Sequence, residues 1–381
     1  MIDFVFQNPT KIYFGKSALS NLKSEAAHWG ERVLLVYGGG SIKRTGVYDQ
    51  VMAQLAGTQV WELGGVQPNP RLSLVREGIR LCHEHDIQLV LAVGGGSAID
   101  TAKAVANGAC YDGDVWDLFD GKGRNTEVLP LGTVVTIPAA GSEMSNSSVI
   151  TREEDLCKRG RNTPLNFPKF SILNPEFTYT LPPFQTACGV VDIMAHMMER
   201  YFTRVTHVEL IDRMTEGALK TVVGNAPIVM HEPENYDARA EIMWAGCLAH
   251  NTLLQTGRIG DWASHKLEHE LSALYDIAHG AGLAVVWPAY LEFFARRGLF
   301  TERLERYAEK IWGERTVEGG IEATREYFRS LGMPERLSDF GLTAEDAEYM
   351  SRRCTDDGKK TFPSVIPLGL DEVREIYSLC L

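Results

Sequence analysis

Asp192, His196, His265 and His279 are ligand types that a divalent cation accepts, and their spacing brings them into question together. The first two stand in Gly189-Val-Val-Asp-Ile-Met-Ala-His-Met-Met-Glu199. That run has no proline and reads as a helix, so positions four apart lie one above the other on one face. A carboxylate and an imidazole stacked this way can close on a single ion. The other two lie in Asp261-Trp-Ala-Ser-His-Lys-Leu-Glu-His-Glu270 and Asp276-Ile-Ala-His-Gly280. One carboxylate and three neutral imidazoles leave a divalent ion with a net charge of about +1, still a strong Lewis acid. Taken alone, an Asp and a His four apart describe a surface ion pair equally well. The rest of the chain bears on that choice.

A glycine-rich turn occurs twice. Val33-Leu-Leu-Val-Tyr-Gly-Gly-Gly-Ser41 and Leu89-Val-Leu-Ala-Val-Gly-Gly-Gly-Ser97 each join a short apolar run to a helical stretch. Such runs followed by helices indicate a parallel sheet covered on both faces. Glycines at the carboxyl end of a strand let the backbone approach a phosphate, and the N–H groups of the next helix receive its charge. Gly38, Gly39, Gly40 and Ser41, with Gly94, Gly95, Gly96 and Ser97, are therefore candidate nucleotide-binding residues. The alternative is two tight turns that need positive φ. Neither turn is G-x-G-x-x-G, so a standard Rossmann fingerprint is not supported.

These motifs sit in two textures. Up to about Pro182 the pattern alternates: strand near Val33–Tyr37, helices near Val47–Leu55 and Leu72–His85, strand near Leu89–Val93, helix near Ala98–Ala109, strand near Gly132–Ile137. Shorter strands are expected near Ser148–Thr151 and Phe170–Leu173. Beyond Leu181-Pro-Pro183 the pattern is helical, as in Asp237–Gln255, Thr301–Ile311 and Val317–Leu331. The expected fold is thus α/β followed by all-α. A Rossmann-like parallel-sheet dinucleotide domain over residues 1–182 precedes a helical metal-binding and substrate domain over 183–381, with the active site in the cleft between them.

Composition narrows the class. At 381 residues the chain has room for two domains. Its net charge of −12 argues against nucleic acid or an anionic membrane as a partner. No run approaches eighteen uncharged apolar residues, and the start shows no basic n-region or cleavage site. The seven cysteines are odd in number, scattered and without C-x-x-C pairs, which fits reduced thiols. A cytoplasmic protein is expected.

In order and spacing, the glycine turns, Thr136-Ile-Pro-Ala-Ala-Gly-Ser-Glu143, Thr180-Leu-Pro-Pro183, Asp192-x-x-x-His196, and His265-x-x-x-His269 with His279-Gly280 resemble the iron-containing (group III) alcohol dehydrogenases. The likeness covers essentially the whole chain. Tyr37-Gly-Gly-Gly-Ser-Ile-Lys43, Gln67-Pro-Asn-Pro70 and Leu337-Ser-Asp-Phe-Gly341 look like its butanol dehydrogenase branch of NADPH-dependent aldehyde reductases. The resemblance implies metal ligands at Asp192, His196, His265 and His279. It implies that the second glycine turn with Asp100 and Lys103 holds pyrophosphate and ribose, and that Asn69, Thr136, Ser142, Lys158, Tyr179 and Leu181 lie along the cofactor. It also implies a homodimer. Asn174 departs from the family's usual Asp before Pro175.

The chemistry follows from the residues. An alcohol must come close to an alkoxide as hydride leaves, and a bound divalent metal such as Fe2+ or Zn2+ can lower such a pKa from about 16 to about 7. That amounts to roughly 12 kcal/mol. His269, one turn beyond His265, either relays the proton or only orients a ligand. Glu268 reads as a solvated or helix-pairing acid, and Trp262, Phe167 and Met144 are candidates to line a substrate cavity. Two rival functions are a zinc peptidase, because His265-Lys-Leu-Glu-His269 satisfies H-x-x-E-H, and a dehydroquinate synthase-like lyase. The first leaves the glycine turns unexplained; the second needs a glutamate ligand and a basic pocket that the motifs do not show. No acid occurs between Tyr37 and Asp49, whereas Lys43 and Arg44 are near, which favours NADP(H) over NAD(H). The substrate expected is a small uncharged alcohol or aldehyde.

Overall fold

The computed structural model describes residues 1–362 and 364–381. Two compact units emerge: Gln7–Leu181 with Glu232–Asn251, and Met1–Phe6 with Pro182–His231 and Thr252–Leu381.

The first unit is built on a parallel sheet. Strands β1 (Lys11–Phe14), β2 (Arg32–Gly38), β3 (Gln59–Val66), β4 (Leu89–Gly94) and β5 (Leu131–Val135) join β8 (Phe170–Leu173) in the order β1-β8-β5-β4-β2-β3. Successive side chains of the central strands alternate between two cores. Leu34, Val36, Val90 and Ala92 enter one, and Val33, Leu35, Leu89, Leu91 and Val93 enter the other. Burial on both faces explains why these strands read as unbroken apolar runs. In the register of β2 with β4, Tyr37 lies opposite Val93. Both glycine turns therefore leave neighbouring strands at the same end of the sheet.

The Ser148–Thr151 segment is a strand, but in a different sheet. Here β6 (Ser147–Arg152) pairs antiparallel with β7 (Cys157–Asn162) as a separate two-stranded ribbon. Three strands escaped the sequence reading, namely β1, β3 and β7. All are edge or hairpin strands with exposed positions and little continuous apolar signal.

The second unit is helical. Helix Pro183–Tyr201 begins with proline in its first turn, where a missing N–H does no harm. It is followed by Glu209–His231, Ala263–Tyr275, His279–Arg296, Thr301–Tyr307, Val317–Ser330, Ala344–Cys354 and Leu370–Leu379. Helix His279–Arg296 runs through the centre, buried without interruption from Gly280 to Leu291. Its first turn passes so close to helix Pro183–Tyr201 that a Cβ on Gly280 would lie 2.1 Å from the Cys188 carbonyl oxygen. Only glycine permits that crossing.

The units differ from the contiguous halves 1–182 and 183–381. Segment Glu232–Asn251, with helix Tyr236–His250, belongs to the α/β unit. Trp244 meets Phe14 edge-on at 5.9 Å, and the Cys247 thiol donates to the buried Glu143 carboxyl at 3.0 Å. Apolar periodicity announced a helix with a buried face but could not name what that face packs against. All seven cysteines are free thiols, and no described helix is long and apolar enough to cross a membrane.

Candidate active site

The four sequence-predicted ligands come from three helices of the second unit. Asp192 and His196 project from Pro183–Tyr201, His265 from the start of Ala263–Tyr275, and His279 opens His279–Arg296. The Oδ1 atom of Asp192 lies 3.5 Å from His265 Nε2 and 3.8 Å from His279 Nε2. Ligand-type atoms of Asp192, His265 and His279 all fall within 4.8 Å of one another. His196 stands beside this group of three, its ring centroid 4.4 Å from that of His265. Its Nδ1–H donates to the Asp192 carbonyl at 2.8 Å, which places the ring's lone pair on Nε2.

Two atoms in this cluster test whether a cation suits it. Asp192 Oδ1, 3.0 Å from His196 Nδ1, and His265 Nε2 are buried and complete no hydrogen bond among the described residues. Bare polar atoms in a dry interior are costly, and a cation between them would satisfy both. The titration tendencies point the same way. Burial works against charge on Asp192, yet the surrounding imidazoles of His196, His265 and His279 outweigh it and hold the carboxyl well below its usual range. Burial also opposes charge on His265, but Glu199 and Asp192 override it and lift the imidazole to about 10. Asp192 and His265 favour positive charge between them, while burial holds the His196 imidazole below its usual value and keeps it a neutral donor. The donor set of one carboxylate and three imidazoles therefore fits a divalent ion.

Behind two of the histidines stand buried acids. Glu199 Oε2 lies 2.7 Å from His265 Nδ1, a close approach bent away from the ring's N–H axis, while its Oε1 accepts from Ser264 Oγ at 2.5 Å and from the His265 N–H at 3.2 Å. Glu268 contacts His279 Nδ1 through Oε2 and accepts from Ser272 through Oε1. At His279 a carboxylate on Nδ1 fixes the tautomer that presents Nε2 to an ion, whereas Glu199 anchors His265 through its backbone N–H. Glu268 is thus buried rather than solvated: along its own helix it pairs with Ser272, and across to the next helix it meets His279. Lying three residues beyond His265, it shares the buried face that faces His279. Glu199 was missed, although three residues after His196 is the same helical signal.

His279 is the open side of the group, its side chain 26% exposed against 6% for Asp192. Half-buried His269 lies there, 5.8 Å from His279 between ring centroids. Trp262 presents an edge contact to His196 and to His265, at 5.9 and 5.7 Å, and Arg200 stacks on it at 4.5 Å. These contacts put Trp262 against the proposed ligands. The H-x-x-E-H reading loses its general base, because Glu268 faces His279.

In the first unit, the turn at Gly95 and Gly96 opens the thirteen-residue helix Gly96–Gly108. A Cβ at Gly95 would come within 2.8 Å of Ile137, and one at Gly96 within 3.1 Å of Ala140. Gly39 and Gly40 instead face open space, with Gly40 at φ 90° and Gly39 exposed. A cradle of glycines at a helix N-terminus fits a phosphate. Lys158 donates to the side chain of buried Asn69 at 2.9 Å. Thr136 continues β5, its N–H bonded to the Gly94 carbonyl at 3.0 Å, and half-buried Tyr179 and Leu181 end this part of the unit.

Asp100 and Lys103 both bond to the segment that follows β5. Lys103 is fully buried, and its ammonium donates to the carbonyls of Ser142, Ser145 and Ser147 and to two serine hydroxyls, at 2.7–3.3 Å. Asp100 accepts from Ser142 Oγ at 2.6 Å and from the Val149 N–H at 2.8 Å. Both shape the loop after β5 from beneath. The sequence also hid an acid near the first turn. Glu62 reaches Lys43 at 2.9 Å from β3, the strand beside β2, and proximity along the chain could not reveal it.

Comparison with known proteins covers both units. The family model described as iron-containing alcohol dehydrogenase matches residues 9–175, and the C-terminal model of the Fe-containing alcohol dehydrogenase family matches 186–381. The chain is 42% identical to the probable NADH-dependent butanol dehydrogenase 1 of Bacillus subtilis (strain 168), with 100% of both chains covered. It is 38% identical to the NADPH-dependent aldehyde reductase YqhD of Escherichia coli (strain K12) over 99% of each. The crystal structure of NADH-dependent butanol dehydrogenase A from Thermotoga maritima superposes with a TM-score of 0.95 at 40% identity, covering 100% of this chain and 99% of that one.

Lys103→Met tests the loop. Removing the ammonium leaves several buried oxygens without a donor, so unfolding stability should fall by about 3–5 kcal/mol. A urea denaturation midpoint equal to that of the parent would show that Lys103 does not hold the loop.

Proposed function

We propose that this chain, which belongs to the iron-containing alcohol dehydrogenase family, works chiefly as an NADPH-preferring reductase of small uncharged aldehydes. The carrying observation is the buried convergence of Asp192, His265 and His279, with His196 beside them, on a position that wants positive charge. In this reading the four residues hold one divalent ion, iron or zinc, since ligand type alone does not choose between them. A bound ion of this kind supplies Lewis acidity, which can lower a hydroxyl pKa from about 16 to about 7 and polarise a carbonyl.

The chain's own residues do the rest. Glu199 and Glu268 keep the rings of His265 and His279 turned so that Nε2 faces inward. Trp262 walls the cluster and keeps water from it. His269, at the more exposed side next to His279, is assigned the proton relay. The glycine turns with Ser41, Ser97 and Lys43 hold the nicotinamide dinucleotide, which supplies the hydride. Asn69, Thr136, Ser142, Lys158, Tyr179 and Leu181 are assigned to its flanks. A homodimer acting in the cytoplasm is the assembly this reading expects.

Replacing His265 by Ala should leave a folded protein that carries little metal and turns over almost no aldehyde. Elemental analysis and dihydronicotinamide absorbance measure both, and full metal with full activity would remove the assignment.

Cofactor choice is tested at Gly39. Its Cβ position is open, so an aspartate fits without strain. Gly39→Asp should weaken NADPH by roughly tenfold or more through charge repulsion and leave NADH nearly unchanged. A parent with the higher kcat/KM for NADH would reverse the preference.

The substrate proposal predicts a graded series for uncharged aldehydes. One methylene in an apolar pocket is worth about 1–3 kcal/mol. Rates should change smoothly from propanal to hexanal and collapse for phosphorylated aldehydes or 2-oxo acids. Preference for a charged substrate would contradict the apolar pocket.

A further inference from the structure

Lys43 is the cation next to the first glycine turn, and it is already engaged. Its ammonium lies 2.9 Å from Glu62 Oε2 and over the faces of two tyrosines, 5.0 Å from the Tyr37 ring centroid and 4.5 Å from that of Tyr48. Both phenols donate to the same carboxylate: Tyr37 to Oε2 and Tyr48 to Oε1, each at 2.5 Å. The carboxylate therefore has three donors on it, and the lysine is held by charge on one side and by aromatic faces on the other.

The backbone explains why these four groups meet. Tyr37 is the penultimate residue of β2, Lys43 lies in the short helix Ser41–Arg44 that the left-handed Gly40 turns back, and Tyr48 sits in the following helix Val47–Gln54. Glu62 enters from β3, which pairs with β2 in parallel register. The acid lies on the strand next to the one that leads into the turn, at the sheet's edge. It remains 35% exposed, and Lys43 45%, so both are open to a ligand arriving at the turn.

We infer that Glu62 is a specificity-determining residue for the dinucleotide: by holding Lys43 it opposes binding of a 2′-phosphate and leaves a 2′-hydroxyl unpenalised. This rests on the proposal that the first glycine turn with Lys43 receives that end of the cofactor. A 2′-phosphate that draws on Lys43 must share it with a fixed negative charge, and the two anions repel at close range. A 2′-hydroxyl has no such conflict and can donate to the carboxylate. The three donors keep Glu62 ionised, pulling its carboxyl down to about 2 against the opposing effect of burial. The repulsion therefore persists across the working pH range. Open glycines and a lysine favour NADP(H), whereas Glu62 pulls toward NAD(H). The balance of the two sets the cofactor ratio.

The test separates this inference from its premise by measuring binding without turnover. Isothermal titration of the full-length protein with 2′,5′-ADP and with 5′-AMP reports the 2′-phosphate contribution alone. Protein fluorescence with NADPH and NADH repeats the comparison on the whole cofactor. Glu62→Gln keeps the side chain's shape and an oxygen for the tyrosines, and its thermal midpoint checks folding. It should tighten 2′,5′-ADP and NADPH roughly tenfold, about one solvated charge contact, and change 5′-AMP and NADH less than about twofold. Lys43→Met should weaken 2′,5′-ADP in the parent, and more so in the Glu62→Gln background, where the lysine is released. If Lys43→Met weakens 2′,5′-ADP but Glu62→Gln does not tighten it, the role of Glu62 is overturned and the loop assignment stands. If Lys43→Met leaves 2′,5′-ADP binding unchanged, the loop assignment fails and takes the inference with it.

Discussion

A carboxylate buried among imidazoles, with one oxygen left unpartnered, is the constraint around which the helical unit is organised. An interior group of this kind is tolerated only if a positive charge compensates it. Asp192 has that environment, and three helices converge on it. The crossing of Pro183–Tyr201 with His279–Arg296 demands glycine at 280, immediately after His279. The residue that lets the helices approach and the residue that faces Asp192 are therefore neighbours in sequence for a mechanical reason. Packing and chemistry are set by the same turn.

The α/β unit places a cation of its own in the interior. Lys103 carries its charge into the interior, where burial pushes its ammonium down to about 8 while Asp100 and Glu143 pull the other way. It survives there because backbone carbonyls and hydroxyls of the 142–147 segment surround it. A loop made of polar residues near a glycine turn would otherwise have many conformations, and one buried charge selects among them. The geometry of this loop is thus imposed from below, by the side chains of Lys103 and Asp100.

Much of this was legible in the residues. Central strands, the two glycine turns and the helices bearing the proposed ligands follow from apolar runs, glycine clusters and i,i+4 spacing, all local signals. What escaped was non-local or weakly apolar. Edge strands β1 and β3 show too little buried face to stand out, and the helix Tyr236–His250 declares a buried face without naming its partner. Glu268 misled because an acid inside a His-rich helix looks the same whether it faces water or His279; only the arrival of a second helix decides. Glu62 was invisible for the same reason, since sheet pairing, not chain proximity, delivers it to Lys43. The alcohol dehydrogenase family was recognisable from motif order alone, whereas side-chain contacts around those motifs were not.

The outer acids also change the electrostatic reading of the metal cluster. Counted from its four ligands, a divalent ion there would keep a charge of about +1. Glu199 and Glu268 stand as two buried acids directly behind His265 and His279, so an ion bound there would meet more acidic groups than the ligand count indicates. Acidic partners at Nδ1 make an imidazole a better donor and strengthen its hold on an ion. In the proposed reading they would also temper the pull of a bound ion on a substrate oxygen. Retention of metal and Lewis acidity would then be opposed, each acid trading some of one for the other. A site asked only to polarise a carbonyl, with no charged substrate group to anchor, could accept that exchange.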